Sequence, residues 1–358
     1  MNKKIVMTGG GSAGHVSPNM ALIPYLYDEG FEIHYFGTNG IEHQLITDNF
    51  DFVQYHTIKS GKLRRYFSLK NLTDPFRVIA GIASARKEIK AIKPDVVFSK
   101  GGYVSVPVVM AAHKIAPIIA HESDFSPGIA TKISARYATK VCTSFEQTAK
   151  AFGKKGLYTG SPIRSELFSG NAENGRSFLK FENDLPILLV IGGSLGALAI
   201  NENIRACLPA LLNEFNVAHI CGKGKIDAKF DVLEGYNQYE YLSKPLADVF
   251  AAADVIVSRA GANAIFEFIA LKKPALLIPL PSKSSRGDQL QNAMYYTKKG
   301  YFETLEQEQV TKITLYNAII SLYQNKEKYV NSMKKDIVAA NGTQNVLNII
   351  YKTAGHKN

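Results

Sequence analysis

The sequence predicts an α/β protein made of two halves, each a doubly wound parallel sheet. A glycine-rich turn follows a short apolar run twice, first within Lys4–His15 and again within Ile187–Ala197. Around each turn, apolar strands alternate with stretches of helical periodicity, which is the pattern of a parallel sheet covered by helices. Two such halves facing each other would form a cleft.

The strands are predicted where short apolar runs end in Gly, Ser, Thr or Pro. In the first half these runs lie at about Ile5–Thr8, Glu32–Phe36, Val96–Ser99, Ile118–Ala120 and Val141–Thr143. In the second half they lie at about Ile187–Ile191, Ala218–Cys221, Val255–Ser258 and Ala275–Ile278. The last helices are predicted at about Val310–Gln324 and Thr343–Lys352. The weakly patterned, polar stretch Phe152–Asp184 is interpreted as an interdomain connection.

Length and composition are those of two soluble globular domains. The chain has 358 residues, of which 46% are hydrophobic and 20% are charged,. Its three cysteines are too widely spaced for a disulfide framework or a metal-binding Cys pair, which favours a reducing, cytoplasmic location. We expect no signal peptide, since the first strand begins almost at Met1. We also expect no membrane span, because prolines and polar residues interrupt the longest apolar stretch, Val104–Ala120.

The first turn contains Gly9, Gly11 and Gly14 in the Gly-x-Gly-x-x-Gly spacing of dinucleotide-binding proteins. Such a site also needs an acidic residue at the end of the second strand to hold the ribose, and His34–Gly40 contains none,. A turn that only connects strand to helix is the other alternative. His15, however, lies at the mouth of the turn, where ligands bind in such folds, and we expect it to be functional.

The second turn, Gly192–Gly196, combines exposed N–H groups at a helix start with the hydroxyl of Ser194, and this suits a diphosphate,. Downstream, the polar loop Ser285–Asn292 offers Asp288 and Gln289 as hydrogen-bonding partners for sugar hydroxyls.

A third turn, Ser258–Glu267, again follows an apolar strand and opens a helix. Asn263 and Glu267 are four residues apart and therefore share a helical face near its N-terminus. A carboxylate there can accept both hydroxyls of a ribose, which leaves the helix end for phosphate. Glu267 as a solvated or capping residue is the alternative.

Seven segments, in order and over essentially the whole length, resemble the MurG family of peptidoglycan glycosyltransferases: Gly10–Pro18, Pro94–Pro107, His121–Gly128, Gly160–Arg164, Gly192–Ala197, Ser258–Glu267 and Asp288–Ala293. The resemblance implies the GT-B architecture, α/β, with two Rossmann-like doubly wound domains facing a central cleft. It implies an acceptor- and membrane-facing domain over residues 1–163 and a UDP-sugar domain over 164–340. A C-terminal helix at about 341–355 would pack back on the first domain.

The resemblance also implies an activity, the inverting transfer of N-acetylglucosamine from UDP-N-acetylglucosamine. The acceptor is implied to be the muramyl 4-hydroxyl of undecaprenyl-diphosphate-linked MurNAc-pentapeptide. This reaction converts lipid I to lipid II in peptidoglycan synthesis. The implied location is peripheral, at the cytoplasmic face of the cell membrane. A UDP-sugar epimerase or another UDP-sugar binder of the same fold is the alternative, and a sugar dehydrogenase a more distant one. We expect neither a cofactor nor a metal, since UDP-N-acetylglucosamine is a co-substrate and no Asp-x-Asp pair is present.

Carried over position by position, the resemblance assigns roles to several residues. Facing the acceptor diphosphate and the transferred sugar are Gly10, Gly11, Ser12 and His15. The donor side is implied to consist of Arg164 and Ser194 at the diphosphate, Leu242 at uracil, Ala262, Asn263, Ala264 and Glu267 at ribose and phosphate, and Gln289 at the sugar. His15 is our first choice for the base or acceptor-orienting group, with Glu122 or Asp124 in reserve. Helix N-termini with Arg164 and Ser194 would offset the charge of the departing UDP without a metal.

Two departures from the family pattern change these expectations. The first turn commonly reads GGTGGH, and here Ser12 and Ala13 replace the threonine and a glycine, so that the hydroxyl survives. Where many members have HEQN, this chain has His121–Asp124 reading HESD. We therefore expect the acid at Asp124 to serve the acceptor side.

The net charge of +11 favours an anionic partner,. Between Lys59 and Lys93, ten lysines and arginines stand against two acids and alternate with apolar residues. A basic rim around an apolar patch suits an anionic membrane surface. An ordinary amphipathic helix packed on its own core remains the alternative for the apolar residues, but it does not explain the excess of charge. We expect no nucleic acid partner, because no groove-reading motif accompanies the basic run.

Overall fold

The computed structural model describes residues 3–59, 70–193, 195–283 and 287–355. By its contacts the chain divides into two units, one formed by Met1–Arg164 with Asn341–Asn358 and the other by Ser165–Ala340. Each unit is a parallel sheet flanked by helices, as the alternating pattern predicts.

The strands of the first unit are β1 Lys4–Thr8, β2 Glu32–Gly37, β3 Gln54–Thr57, β4 Val96–Ser99, β5 Ile118–Glu122, β6 Lys140–Thr143 and β7 Gly156–Tyr158. Those of the second are β8 Ile187–Ile191, β9 Asn216–Ile220, β10 Tyr236–Tyr239, β11 Val255–Ser258, β12 Ala275–Leu277 and β13 Glu303–Thr304. The strand orders are β3-β2-β1-β4-β5-β6-β7 and β10-β9-β8-β11-β12-β13. All strands run parallel, and the order in which they are added to the sheet reverses between β1 and β4 and between β8 and β11. Doubly wound sheets bind ligands at such points.

The helices in chain order are α1 Ser17–Asp28, α2 Ile41–Thr47, α3 Lys70–Ile92, α4 Ser105–Ala112, α5 Ile129–Tyr137, α6 Glu146–Ala151, α7 Ala172–Leu179, α8 Leu198–Leu211, α9 Leu246–Ala252, α10 Ala262–Leu271, α11 Asp288–Lys298, α12 Lys312–Gln324, α13 Lys326–Met333, α14 Ile337–Ala340 and α15 Gly342–Ala354. Short 3-10 segments lie at Ala13–His15, Gly153–Lys155, Ser165–Ser169, Ala228–Phe230 and Gln307–Gln309. Within the described ranges, no helix is both long enough and apolar enough to span a bilayer.

The C-terminal helix α15 packs on the first unit. Its apolar face, including Val346 and Ile350, joins the buried cluster that contains Leu22 of α1 and the strands β1, β2 and β4. The Thr343 hydroxyl accepts a hydrogen bond from Ile163 N–H at 2.8 Å and donates one to the carbonyl of the same residue at 2.9 Å. These bonds join the end of the chain to the segment that follows β7.

The interpretation of Phe152–Asp184 as a connection is wrong for much of its length. The segment contributes β7 to the edge of the first sheet and α7 to the second unit, where α7 packs against α9. Asn171 caps α7, since its side chain accepts the Asn174 N–H at 3.0 Å. A half-buried strand of three residues and a helix of eight give too short an apolar pattern to be predicted from sequence.

Candidate active site

In the first unit, the turns that follow β1 and β4 touch at the point where the strand order reverses. Gly102 has φ of +80°, and a Cβ at this position would overlap the carbonyl oxygen of Gly10. The same Cβ would lie 3.3 Å from Cδ2 of His15, which shows how closely the imidazole approaches the second turn. Glycine at this position lets the two turns and the His15 ring pack together.

The Ser12 hydroxyl fixes one side of the His15 ring. Ser12 Oγ and His15 Nδ1 are 2.7 Å apart. Ser12 is exposed, whereas His15 is half-buried. The serine that replaces the family's usual threonine therefore keeps a hydroxyl contact to this histidine. A hydroxyl can either donate to Nδ1 or accept from it, so this contact fixes the orientation of the ring with either nitrogen protonated,.

A buried carboxylate that the sequence did not indicate, Glu42, lies against the first glycine-rich turn. Its side chain is fully buried, and its oxygens accept the N–H of Gly11 at 3.0 Å, the N–H of Thr38 at 3.0 Å and the hydroxyl of Thr38. The resemblance implies that Gly11 faces the acceptor diphosphate, but its N–H already has an internal acceptor. Glu42 lies just beyond His34–Gly40, the segment in which a ribose-binding acid would be expected, and it holds the turn instead.

Glu122 and Asp124 have different surroundings at the end of β5. The carboxylate of Glu122 accepts the backbone N–H of Asp124 at 3.0 Å and that of Gly128 at 2.9 Å, and the side chain is buried. Asp124 itself is half-buried. Glu122 thus ties together the turn on which Asp124 lies.

In the second unit, the turns that follow β8 and β11 lie at the corresponding reversal point. Gly196, with φ of +69°, leaves no room for a side chain, because a Cβ would overlap the carbonyl oxygen of Cys221. Ser194 lies outside the described residues. Its neighbour Leu195 is 82% exposed, so this turn presents its surface to solvent.

Helix α10 begins at the same reversal point. Ala262 is buried, whereas Asn263, Ala264 and Glu267 are half-buried on one helical face, as their spacing predicts. Gly261, in an extended conformation, precedes the helix without a side-chain cap. The N-terminal N–H groups of such a helix favour negatively charged ligands.

The other donor-side candidates lie at three places. Gln289, in the first turn of α11, accepts the N–H of Leu280 at 3.0 Å through Oε1. Leu242 is buried in the segment after β10. Arg164 is half-buried and belongs by its contacts to the first unit. Among the described residues there is no cluster of three His, Cys, Asp or Glu side chains that could hold a metal.

Comparisons with known proteins show the family to which the chain belongs. The models of the N-terminal and C-terminal domains of glycosyltransferase family 28 match residues 5–143 and 187–348. A relative from Clostridium tetani is 50% identical over 100% of both chains. One from Clostridium kluyveri is 51% identical over 98% of this chain and 99% of its own. Both are named UDP-N-acetylglucosamine--N-acetylmuramyl-(pentapeptide) pyrophosphoryl-undecaprenol N-acetylglucosamine transferase. The chain belongs to the MurG family of glycosyltransferases.

Solved structures of family members and more distant glycosyltransferases share the fold. MurG of Acinetobacter baumannii superposes with a TM-score of 0.74 at 24% identity over 98% of this chain and 100% of that one. The calicheamicin glycosyltransferase CalG4 superposes with a TM-score of 0.70 at 16% identity over 99% of this chain and 98% of that one. The predicted fold class, GT-B with two Rossmann-like domains, is confirmed.

Proposed function

We propose that this MurG-family chain transfers N-acetylglucosamine from UDP-N-acetylglucosamine to the muramyl 4-hydroxyl of undecaprenyl-diphosphate-linked MurNAc-pentapeptide. The observation that carries the proposal is identity at half of all positions, over the full length, with curated transferases named for this reaction. We further propose that the reaction needs no metal or other cofactor.

In this proposal the donor is bound by the second unit together with Arg164, the residue directly before it in the chain. Glu267 and Asn263, on the half-buried face of α10, hold the ribose hydroxyls, and the N-terminus of α10 faces phosphate. Ser194 and Arg164 contact the diphosphate, Leu242 contacts uracil through its backbone, and Gln289 contacts the sugar. Gln289 would then orient the sugar through its amide nitrogen, because its oxygen accepts the Leu280 N–H.

The first unit supplies the group that activates the acceptor. His15 removes the proton of the 4-hydroxyl, and the oxygen forms a bond to the anomeric carbon as the bond to UDP breaks. The configuration at that carbon inverts. UDP leaves with the bonding electrons, and helix N–H groups and Arg164 stabilise its growing charge. Ser12, at 2.7 Å from His15 Nδ1, orients the imidazole.

Asp124 is the reserve base, and we assign Glu122 to positioning. The Glu122 carboxylate accepts two backbone N–H groups and is held in place by its own turn. Moving the Glu122 carboxylate toward a substrate would break both bonds.

We also propose that the chain works at the cytoplasmic face of the cell membrane, as a peripheral protein. The acceptor carries an undecaprenyl chain and so resides in the bilayer. The basic and apolar stretch between Lys59 and Lys93 suits an anionic surface,. Most of that stretch before Ile79 lies outside the described side chains; Ile79, on α3, is 63% exposed.

The test is a two-substrate assay with the purified chain. We expect UDP release from UDP-N-acetylglucosamine only when the lipid-linked muramyl acceptor is present, and loss of that release in the His15→Ala variant. Absence of acceptor-dependent release from the unmodified chain would overturn the proposal. Epimerised UDP-sugar formed without acceptor would instead support the epimerase alternative.

A further inference from the structure

A buried lysine lies at the carboxyl edge of the first sheet, between the ends of β1 and β5. Lys100 directly follows β4, its N–H donates to Thr8 O at 2.9 Å, and its side chain is 3% exposed. Its Nζ donates to Ser123 Oγ at 2.6 Å. An ammonium group so far removed from water is unfavourable unless carboxylates lie close to it.

Two carboxylates supply that compensation. Glu122 and Asp124 flank Ser123 in sequence, and both attract the Lys100 ammonium. Burial lowers the pKa of Lys100, and the charges of the two acids oppose this shift. Lys100 reaches this turn through the Ser123 hydroxyl, and Glu122 accepts the backbone N–H groups of Asp124 and Gly128, so that Lys100 and residues 122–124 form one cluster.

His121 is a further titratable neighbour of Lys100, and it carries no charge. Burial, and then the positive charge of Lys100, hold the pKa of His121 well below its usual value. Its Nε2 lies 3.2 Å from Gly160 O, and the neutral ring donates this hydrogen bond. The cluster therefore contains one cation against two anions, and Lys100 is their counter-ion.

We propose that Lys100 is a positioning residue for the acceptor side of the transfer, the counter-ion that allows this chain to place an acid at position 124. The proposal rests on the proposed function. With the ammonium present, the two acids face a positive charge and the turn at Ser123 stays in place. Without it, the turn loses the hydrogen bond from Lys100 to Ser123 and the repulsion between the two acids is unopposed, so the turn shifts. A displacement of about 1 Å near the reacting groups can lower a rate about 100-fold.

The test is a double-mutant cycle on Lys100→Met and Asp124→Asn, since methionine keeps the aliphatic length and removes only the ammonium. We expect Lys100→Met to lower kcat/KM for the lipid-linked acceptor about 10- to 100-fold, with the KM for UDP-N-acetylglucosamine changed less than about twofold. In the Asp124→Asn background, the same substitution should lower kcat/KM less than about threefold. The urea midpoint for unfolding should show the same coupling. Ser123→Ala keeps every charge and should have a smaller effect in the same direction.

A matched control is Lys155→Met, because Lys155 Nζ is exposed and donates to the carbonyls of Ala135 and Arg136. It should change neither KM nor kcat. The proposal would be overturned if Lys100→Met lowered kcat/KM by the same factor with Asp124 and with Asn at position 124. It would also be overturned if the Lys100→Met variant had the acceptor kcat/KM of the unmodified chain. If Lys100→Met does not fold, a folded Lys100→Met/Asp124→Asn variant supports the proposal and an unfolded one overturns it. Failure of the unmodified chain to transfer would instead refute the proposed function, a result independent of the cycle.

Discussion

Replacing Glu42 by glutamine tests whether this buried carboxylate holds the first glycine-rich turn in place. One oxygen accepts the Gly11 N–H at 3.0 Å, and the other accepts the N–H and hydroxyl of Thr38. The amide of the Glu42→Gln variant offers only one acceptor oxygen and brings an NH₂ donor in place of the other. Either Gly11 or Thr38 therefore loses its partner inside the protein.

The size of the effect follows from this lost hydrogen bond. A hydrogen bond to a charged acceptor contributes about 1.5 to 3 kcal/mol and is stronger than a bond to a neutral acceptor. We expect opening of the turn to become easier by about 2 kcal/mol, which is about a 30-fold change in its opening equilibrium. Because Ser12 and His15 lie on this turn, the acceptor-dependent rate should fall as well.

Hydrogen exchange measured by mass spectrometry checks this prediction. Peptides that contain Gly9–His15 should exchange about 30-fold faster, whereas peptides from the second unit serve as an internal control and should not change. A matched variant is Glu146→Gln, since Glu146 forms an exposed ion pair with Lys150 and its loss should change stability by less than about 0.5 kcal/mol,. If hydrogen exchange at Gly9–His15 were unchanged in folded Glu42→Gln protein, Glu42 would not be what holds this turn in place.

Three further predictions concern ligand, pH and membrane. Glu267→Ala should weaken UDP binding about 30-fold in calorimetry, because about 2 kcal/mol of charge-assisted hydrogen bonding to the ribose is lost. Burial, and then the charge of Arg205, lower the pKa of His219 from 6.5 to about 3, so its contribution to stability is complete above pH 6.5 and is lost as the pH falls. In urea unfolding this loss should reach about 1.4 kcal/mol per pH unit below that point. Affinity for anionic liposomes, measured by co-sedimentation, should fall about 100-fold when Arg64, Arg65 and Arg77 are neutralised, because each charge contributes about 1 kcal/mol near such a surface.

Each of these predictions has a matched control. Glu202→Ala, on an exposed position of α8, should leave UDP affinity unchanged, and an equal loss in both variants would show that the ribose lies elsewhere. His219→Asn should remove its part of the acid slope, and an unchanged slope would contradict the assignment. Liposome binding should be retained when three exposed lysines of the second unit are neutralised instead: Lys328, Lys334 and Lys335.

The strands that carry the two candidate sites could be predicted from the sequence because each is buried on both faces. β1, β4, β8 and β11 are almost entirely buried, so each appears as an apolar run that ends in a polar or glycine-rich turn,. The edge strands β3, β7 and β13 are short and half-exposed, and they carry no such run.

The supporting residues of the first site could not be predicted, because their roles depend on contacts between distant segments. Glu42 resembles a surface residue at the start of a helix until α2 brings it against Gly11. Lys100 resembles a solvated lysine at a strand end, and only the packing of β4 between β1 and β5 buries it against Ser123. The one available signal was a lysine at the end of an apolar run, followed directly by two glycines.

Sugar transfer by His15 is measured most directly with UDP-N-acetylglucosamine labelled in the sugar, the lipid-linked muramyl acceptor and the purified chain. We expect label to pass into the lipid fraction in step with UDP release, and both to stop in the His15→Ala variant, whose UDP affinity is retained. Release of UDP without labelled lipid would show that the chain does not transfer the sugar, and labelled lipid made equally well by the His15→Ala variant would show that His15 is not the base.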